Sequence, residues 1–548
     1  MTAEAKKPTK TKTTKTTKTT KTTKTTKTDP AADLTARITA AYATEGAAVG
    51  LGRAVLGDAV LPDAVVQIPL AMMNRHGLIA GATGTGKTVT LQLLAEQLAN
   101  AGVAVFAADM KGDLAGLMEP GTANDKIDER VTSLGLDWKP AGRDVTFWSL
   151  GGLGEGIPLR ASVSSFGPQL LAKVLGANET QRSSLSLVFA YADQQQLPLL
   201  DLSDLRALLA FLTGDEGKAD LKELGGVSSQ TAGVLLRSIT ELEQQGAEAF
   251  FGVPEISITD LLTAGSLHLL ELPSVQDRPK LFSTFLMFLL AELFHELPEV
   301  GDLEQPKVVF FFDEAHLLFS DASKDFIEEI SQTVRLIRSK GVGVFFITQL
   351  PDDVPGPVLA QLGNRIQHAL RAHTPRDAKA LKAAVTTYPK TDDYDLEEDL
   401  TRLGTGEAMI TILDEKGAPT PVVWARLAPP TSKIGDPGRD KVDAAAKASS
   451  LWSKYATEEN RESAEEKIKA KLATAAEVAA QEQSDPGVKE DGGVKVEKPA
   501  GRAKTKRTSA PKPQKDEPGV VETVLKSREG RSMINTVLRG VFGILKKG

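Results

Sequence analysis

The stretch Gly77-Leu78-Ile79-Ala80-Gly81-Ala82-Thr83-Gly84-Thr85-Gly86-Lys87-Thr88-Val89-Thr90-Leu91 decides how the rest of the chain is read. Its middle fits the phosphate-loop pattern G-x-x-x-x-G-K-[ST] without a mismatch. A short apolar run precedes the loop. Val89, Leu91, Leu93, Leu94 and Leu98 follow it at helical spacing. Strand, glycine-rich loop and helix is the setting the pattern needs, because backbone N–H groups then converge on an anion at a helix N-terminus. A glycine-rich turn that binds nothing would need none of that context. Gly81, Ala82, Thr83, Gly84, Thr85, Gly86, Lys87 and Thr88 are therefore the nucleotide-binding candidates. The implied ligands are ATP and Mg²⁺, with Lys87 directed at the β- and γ-phosphates and the Thr88 hydroxyl at the metal.

Three downstream features extend this reading. Val308-Val309-Phe310-Phe311-Phe312-Asp313-Glu314 is an apolar strand ending in two acids. Asp313 is placed to support the metal, and Glu314 to polarise a water attacking the γ-phosphoryl group. His316 completes an Asp-Glu-Ala-His string, but only one phosphate-loop core is visible, so it reads as an incidental helix-start residue. A second apolar strand, 342–348, ends at Thr348-Gln349, where an amide would either sense the γ-phosphate or cap a loop. Just before it, Arg335, Arg338 and Lys340 crowd a helix end. Cations there complement the helix dipole; the alternative is an arginine finger acting on a neighbouring subunit.

Working outward, short apolar runs recur at 77–80, 103–108, 145–150, 267–272, 308–312, 342–348, 366–372, 408–413 and 422–427. Most are continuous rather than alternating, which predicts strands covered on both faces. The fold class is α/β: a RecA-like P-loop NTPase core with a central, mostly parallel sheet. Between 164 and 248 the strand signal gives way to helical spacing, which predicts an inserted helical subdomain. The expected layout is a basic Lys/Thr tail (1–32), the core in two parts (33–160 and 251–430) around the insert (161–250), and one long charged helix over about 440–482 (within 431–483). A Pro/Gly/Lys-rich linker (484–518) and an amphipathic C-terminal helix (519–548) complete it. Together these last segments make a helical C-terminal extension, whose amphipathic face suits docking onto the core or a partner protein better than a membrane surface.

Composition narrows the function classes. The 548 residues carry 65 Lys and Arg against 72 Asp and Glu, net −7. Residues 1–28 hold nine lysines against Glu4 alone, a net of +8, so the remainder sums to −15. Any polyanion-binding surface must then be local. The lysines repeat as Lys-Thr-Thr, with almost nothing apolar to bury, which predicts a solvated arm. Absence of cysteine excludes disulfides, thiolate metal sites and cysteine nucleophiles, and suits a cytoplasmic location. The most apolar run, 281–291, is 11 residues long, against the roughly 20 needed to span a bilayer.

Together with Ala108-Asp109-Met110-Lys111-Gly112-Asp113-Leu114-Ala115-Gly116-Leu117 and Leu362-Gly363-Asn364-Arg365-Ile366-Gln367-His368-Ala369-Leu370-Arg371-Ala372, these motifs occur in an order that resembles the HerA-like branch of the FtsK–HerA superfamily of hexameric DNA-pumping ATPases. The resemblance covers about residues 45–430. It implies that Lys87 and Thr88 bind nucleotide and Mg²⁺, that Asp313 supports the metal, that Glu314 is the catalytic base and Gln349 the sensor. It also implies that Arg338 is the finger arginine, with Arg365 the second choice. DNA and further copies of the chain, as a hexameric ring, are the implied partners. Archaeal relatives carry an N-terminal β-barrel, whereas only about 45 ordered residues precede the loop here.

Two functions compete. One is an oligomeric ATP-driven DNA translocase or helicase. The other is a nucleotide-regulated scaffold that binds protein partners without translocation. A small-molecule phosphotransferase is weaker, since Glu314 favours water as the nucleophile.

Overall fold

The computed structural model describes residues 29–484 apart from Leu224, Asp321, His373 and Asn460. The Lys-Thr-Thr repeat, most of the 484–518 linker and the amphipathic segment 519–548 lie outside the described residues.

Twelve strands form one sheet: β1 (Ala48–Leu56), β2 (Ala59–Pro69), β3 (Gly77–Ala80), β4 (Ala104–Asp109), β5 (Val145–Leu150), β6 (Ile157–Leu159), β7 (Leu267–Glu271), β8 (Val308–Phe312), β9 (Val342–Thr348), β10 (Asn364–Gln367), β11 (Glu407–Thr411) and β12 (Val423–Leu427). Their spatial order is β2-β1-β12-β11-β10-β3-β9-β8-β4-β7-β5-β6. From β10 to β6 every pairing is parallel; from β2 to β10 every pairing is antiparallel. The central strands β3, β4, β7, β8 and β9 are buried at every residue. Such strands need cover on both faces, which is why they read as unbroken apolar runs.

The expected α/β core is present, with three strands that the apolar runs did not signal. β1 and β2 form a long hairpin at the antiparallel edge, and β6 is a three-residue strand at the other edge. The hairpin is interrupted by register shifts and carries Gly50, Gly52, Pro62 and Asp63. Those residues hide a strand from a composition-based reading. β10 and β11 begin earlier than predicted, at Asn364 and Glu407.

Between β6 and β7 lie the helices Val163–Val174, Glu179–Gln194, Leu202–Thr213, Lys218–Glu223 and Ser229–Gln244, the expected helical insert. Two start with reciprocal capping boxes, Asn178 with Gln181 and Asp201 with Asp204.

The single charged helix expected over 440–482 is instead three: Arg439–Ala448, Trp452–Tyr455 and Ala464–Ser484. The break lets Tyr455 bury completely, edge-on to Trp148 of β5 at 5.6 Å between ring centres, while Arg160 donates to its carbonyl at 3.1 Å. A continuous helix would have left that aromatic in water. The last helix then packs on the insert, with the Glu465 N–H donating to Asp204 at 2.8 Å. At the other end, the Asp29 side chain caps the helix Pro30–Ala41, so this helix begins inside the span read as tail.

Candidate active site

The phosphate loop spans 81–86, between β3 and the helix Lys87–Asn100. Gly81, Gly84 and Gly86 all take positive φ, of 156°, 78° and 112°. Space is also short at two of them, prohibitively at Gly81 and tightly at Gly86. A Cβ on Gly81 would lie 2.5 Å from that of His368, and one on Gly86 would lie 3.2 Å from the Gly406 nitrogen. The loop is braced from two sides. Gly81 N–H donates to Thr348 O at 3.2 Å and Ala82 N–H to Ala369 O at 2.8 Å, so the ends of β9 and β10 hold its entry. Gly406 N–H donates to Thr85 O at 3.0 Å, and Arg130 fastens that outer loop by donating to the carbonyls of Thr405, Gly406 and Leu427. His368 is fully buried beneath the loop, its Nε2 3.0 Å from the Thr90 hydroxyl.

Lys87 is buried and folds back on its own loop, donating to Gly81 O at 2.7 Å and Ala82 O at 3.2 Å. Burial pulls its ammonium below the usual lysine value, and Glu314 is its strongest attractive charge. Thr83 and Gly84 are exposed at the loop tip, and Thr88 is half-buried on the first turn of the helix.

Asp313 and Glu314 follow β8. Its neighbours are β9, which separates it from β3, and β4. Asp313 is buried, and burial, with the Glu314 and Asp109 carboxylates beside it, pushes it up to about 7. Glu314 takes a left-handed backbone conformation at φ 47°, which costs a β-carbon residue roughly 1–2 kcal/mol and tends to occur where function holds it in place. Its Oε1 is bound by the Lys111 ammonium. His316 Nδ1 lies 3.2 Å from Oε2, near enough for charge attraction but off the line of a hydrogen bond. His316 and Lys111 together hold the Glu314 carboxyl down at about 2. Burial works against the Lys111 charge, but the glutamate outweighs it and raises Lys111 above the usual lysine value. His316, read as incidental, does open the short helix His316–Phe319, yet its ring also faces Glu314.

Behind this pair, Asp109 at the end of β4 is fully buried and accepts the N–H groups of Lys111, Gly112 and Leu114 at 2.7–3.0 Å. Those bonds shape the turn that aims Lys111. Glu271, Asp109's neighbour in register on β7, is buried with Oε1 unpartnered. Burial and the Asp109 charge push it well above the ordinary carboxyl range. Asp109 and Lys111 lie in a motif that the sequence reading quoted but gave no role; Glu271 carried no signal.

The remaining candidates are spread along the sheet. Gln349 follows the last residue of β9 and is exposed, next to the strand end that holds Gly81. Arg338 precedes Gly341 at the opposite end of β9, 3.9 Å from Asp302, which also lies 3.6 Å from Arg75. Seven residues of strand, roughly 20 Å, therefore separate Arg338 from its own phosphate loop. Arg365 lies half-buried within β10 opposite Leu78, with one guanidinium nitrogen buried and unpartnered among the described residues, near Tyr388. It is not grouped with Glu314.

The donors suit a magnesium nucleotide. Among the described residues the buried Asp313 carboxyl has no cationic hydrogen-bond partner, and the half-buried Thr88 lies on the first turn of the helix that follows the loop. Among the described residues no three His, Asp or Glu side chains are grouped to hold a metal unaided. Mg²⁺ is commonly held by one or two protein oxygens together with phosphate oxygens and water. No helix among the described residues is long and apolar enough to cross a membrane.

Comparison with known proteins gives one family. The model described as Helicase HerA-like C-terminal matches residues 56–548. Among solved structures, the bacterial conjugative coupling protein TrwBdeltaN70 in its unbound monoclinic form is 15% identical, with 74% of this chain and 93% of that one covered and a TM-score of 0.49. The plasmid coupling protein TrwB in complex with ADP and Mg²⁺ is 15% identical over 72% and 98%, with a TM-score of 0.48. VirB4 of Thermoanaerobacter pseudethanolicus is 14% identical over 70% and 97%, with a TM-score of 0.45. The curated proteins contain no match.

Proposed function

The chain belongs to the helicase HerA-like C-terminal family, and from that premise we propose that it is a Mg²⁺-dependent ATPase that works as an oligomeric motor on DNA. One observation carries the hydrolytic part: at the end of β8, beside the phosphate loop's strand neighbour β9, Asp313 and Glu314 stand together, with Glu314 the dominant charge felt by Lys87. In this reading Gly81, Ala82, Thr83, Gly84, Thr85 and Gly86 cradle the phosphates with backbone N–H groups, and Lys87 turns from its own carbonyls to the β- and γ-phosphates. Thr88 and Asp313 hold Mg²⁺, whose charge offsets that of the phosphates. Glu314 accepts a proton from the attacking water, and Gln349 orients that water or reads the γ-phosphate.

The motor part draws support from Arg338. An arginine roughly 20 Å of strand away from its own phosphate loop is out of reach of its own nucleotide but free to serve a neighbour's. Arg365, enclosed beside Tyr388, is the weaker candidate. A stimulated-ATPase assay with a mass measurement tests the proposal. The expected result is turnover that rises with DNA and a ring-sized species. Turnover indifferent to DNA of either strandedness returns the protein to the nucleotide-regulated scaffold.

A further inference from the structure

Four buried carboxylates stand at the ends of the adjacent strands β4, β7 and β8: Asp109, Glu271, Asp313 and Glu314, each no more than 6% exposed. The cations beside them are Lys87, Lys111 and, when protonated, His316, which approaches Glu314 Oε2 at 3.2 Å. Lys87 is turned onto the carbonyls of Gly81 and Ala82, so the ammonium in contact with a carboxylate of this group is that of Lys111, on Glu314. The contact is specific in its construction. Asp109 spends its two oxygens on three N–H groups of the turn 111–114, which presents Lys111. The glutamate it meets is held at φ 47°, outside the comfortable range of a non-glycine residue. Both ends of the pair are thus fixed by backbone geometry.

The Glu314 charge matters at the place where phosphates are to sit, because it is the largest attractive charge on Lys87. Adding a terminal phosphate there brings further negative charge against Asp313 and Glu314. Unless Glu314 is neutralised, the same carboxylate that would receive the proton repels the incoming γ-phosphate. ADP lacks that group and meets less of the penalty.

We propose that Lys111 is a positioning residue that holds the Glu314 carboxylate and cancels its charge, so that the terminal phosphate of ATP can enter beside it. This rests on the reading of residues 81–88 and Glu314 as an ATPase site, but its test is binding rather than turnover. The full chain, with Mg²⁺ throughout, is titrated with ADP and with a non-hydrolysable ATP analogue. Lys111→Met is expected to weaken the analogue by about tenfold relative to ADP, the low end of what a charge-assisted contact contributes. In a Glu314→Gln background, where no charge remains to cancel, the same substitution should cost the analogue less than about threefold. Lys111→Arg, which keeps the cation, should restore analogue binding, and unchanged ADP binding reports an intact fold. Equal losses for ADP and the analogue would overturn the proposal, as would the same loss in both backgrounds. Failure of Glu314 as the base would show separately, as near-normal hydrolysis by Glu314→Gln alone.

Discussion

Glu314 and Lys87 make opposite demands on a mutant experiment. Glutamine at 314 keeps the shape and loses the proton acceptor, so Glu314→Gln should bind ATP and lose about 10²- to 10⁴-fold in kcat, the range of general-base catalysis. Lys87→Ala removes a phosphate-directed charge, so the loss should fall on affinity instead; equilibrium binding beside steady-state turnover separates the two. Glu271 provides a test in pH. Its folded-state pKa is raised by burial and by Asp109, so the folded chain holds that proton more tightly than the unfolded one. The associated stability is fully present below the ordinary carboxyl value and is lost as pH rises through the raised folded value. Glu271→Gln should therefore raise Tm more at pH 8 than at pH 5, and an equal change at both would show that Glu271 is ionised in the fold. At this scale the loop residues were legible because they are contiguous. The Lys111–Glu314 contact was not, since 203 positions separate its partners. His316 opens its helix as read, and its approach to Glu314 was hidden for a related reason: Glu314 takes a left-handed backbone conformation, and the residue two positions on faces its carboxylate.

Among the elements, the helix Asp125–Leu134 contributes most to the site from outside it. Arg130 on that helix holds three carbonyls of the segments whose Gly406 braces Thr85. Arg130→Met should cost about 2 kcal/mol through the lost charged donors, seen as a Tm lower by a few degrees. It should also weaken nucleotide binding several-fold, because the outer brace of the loop loosens. A Tm drop without any change in affinity would mean that the 404–406 loop supports the fold but not the site. The helices of the insert were legible in their spacing, and their caps are local in sequence. The charged C-terminal stretch was not resolved correctly. Its helix-favouring composition predicts one rod, and only the burial of Tyr455 against Trp148 explains the break.

On the scale of the whole molecule, the separation of Arg338 from the phosphate loop makes a prediction about assembly. If Arg338 serves a neighbour, specific activity should climb with protein concentration. Arg338→Ala should bind nucleotide normally, lose most turnover and poison wild-type protein when the two are mixed. A finger contributes about 10³–10⁵ in rate, against about 0.3–1 kcal/mol for a cation capping a helix dipole. A monomer whose ATPase is independent of concentration, or mixtures whose activities merely add, would leave Arg338 as a cap.

What this sequence determined by itself was whatever is encoded by neighbours along the chain. The 81–88 loop between its strand and helix, the buried parallel strands and the helical insert all follow from period, turn chemistry and contiguous motif. Tertiary structure decided which distant residues meet. It placed β9 between β3 and β8, turned Lys111 onto Glu314, set Glu271 beside Asp109 and carried Arg338 to the far end of the strand that ends at the phosphate loop. Periodicity measures how each segment wants to be buried, whereas the order of strands in a sheet depends on the crossovers between them. The charges at the strand ends are brought together only once that order exists.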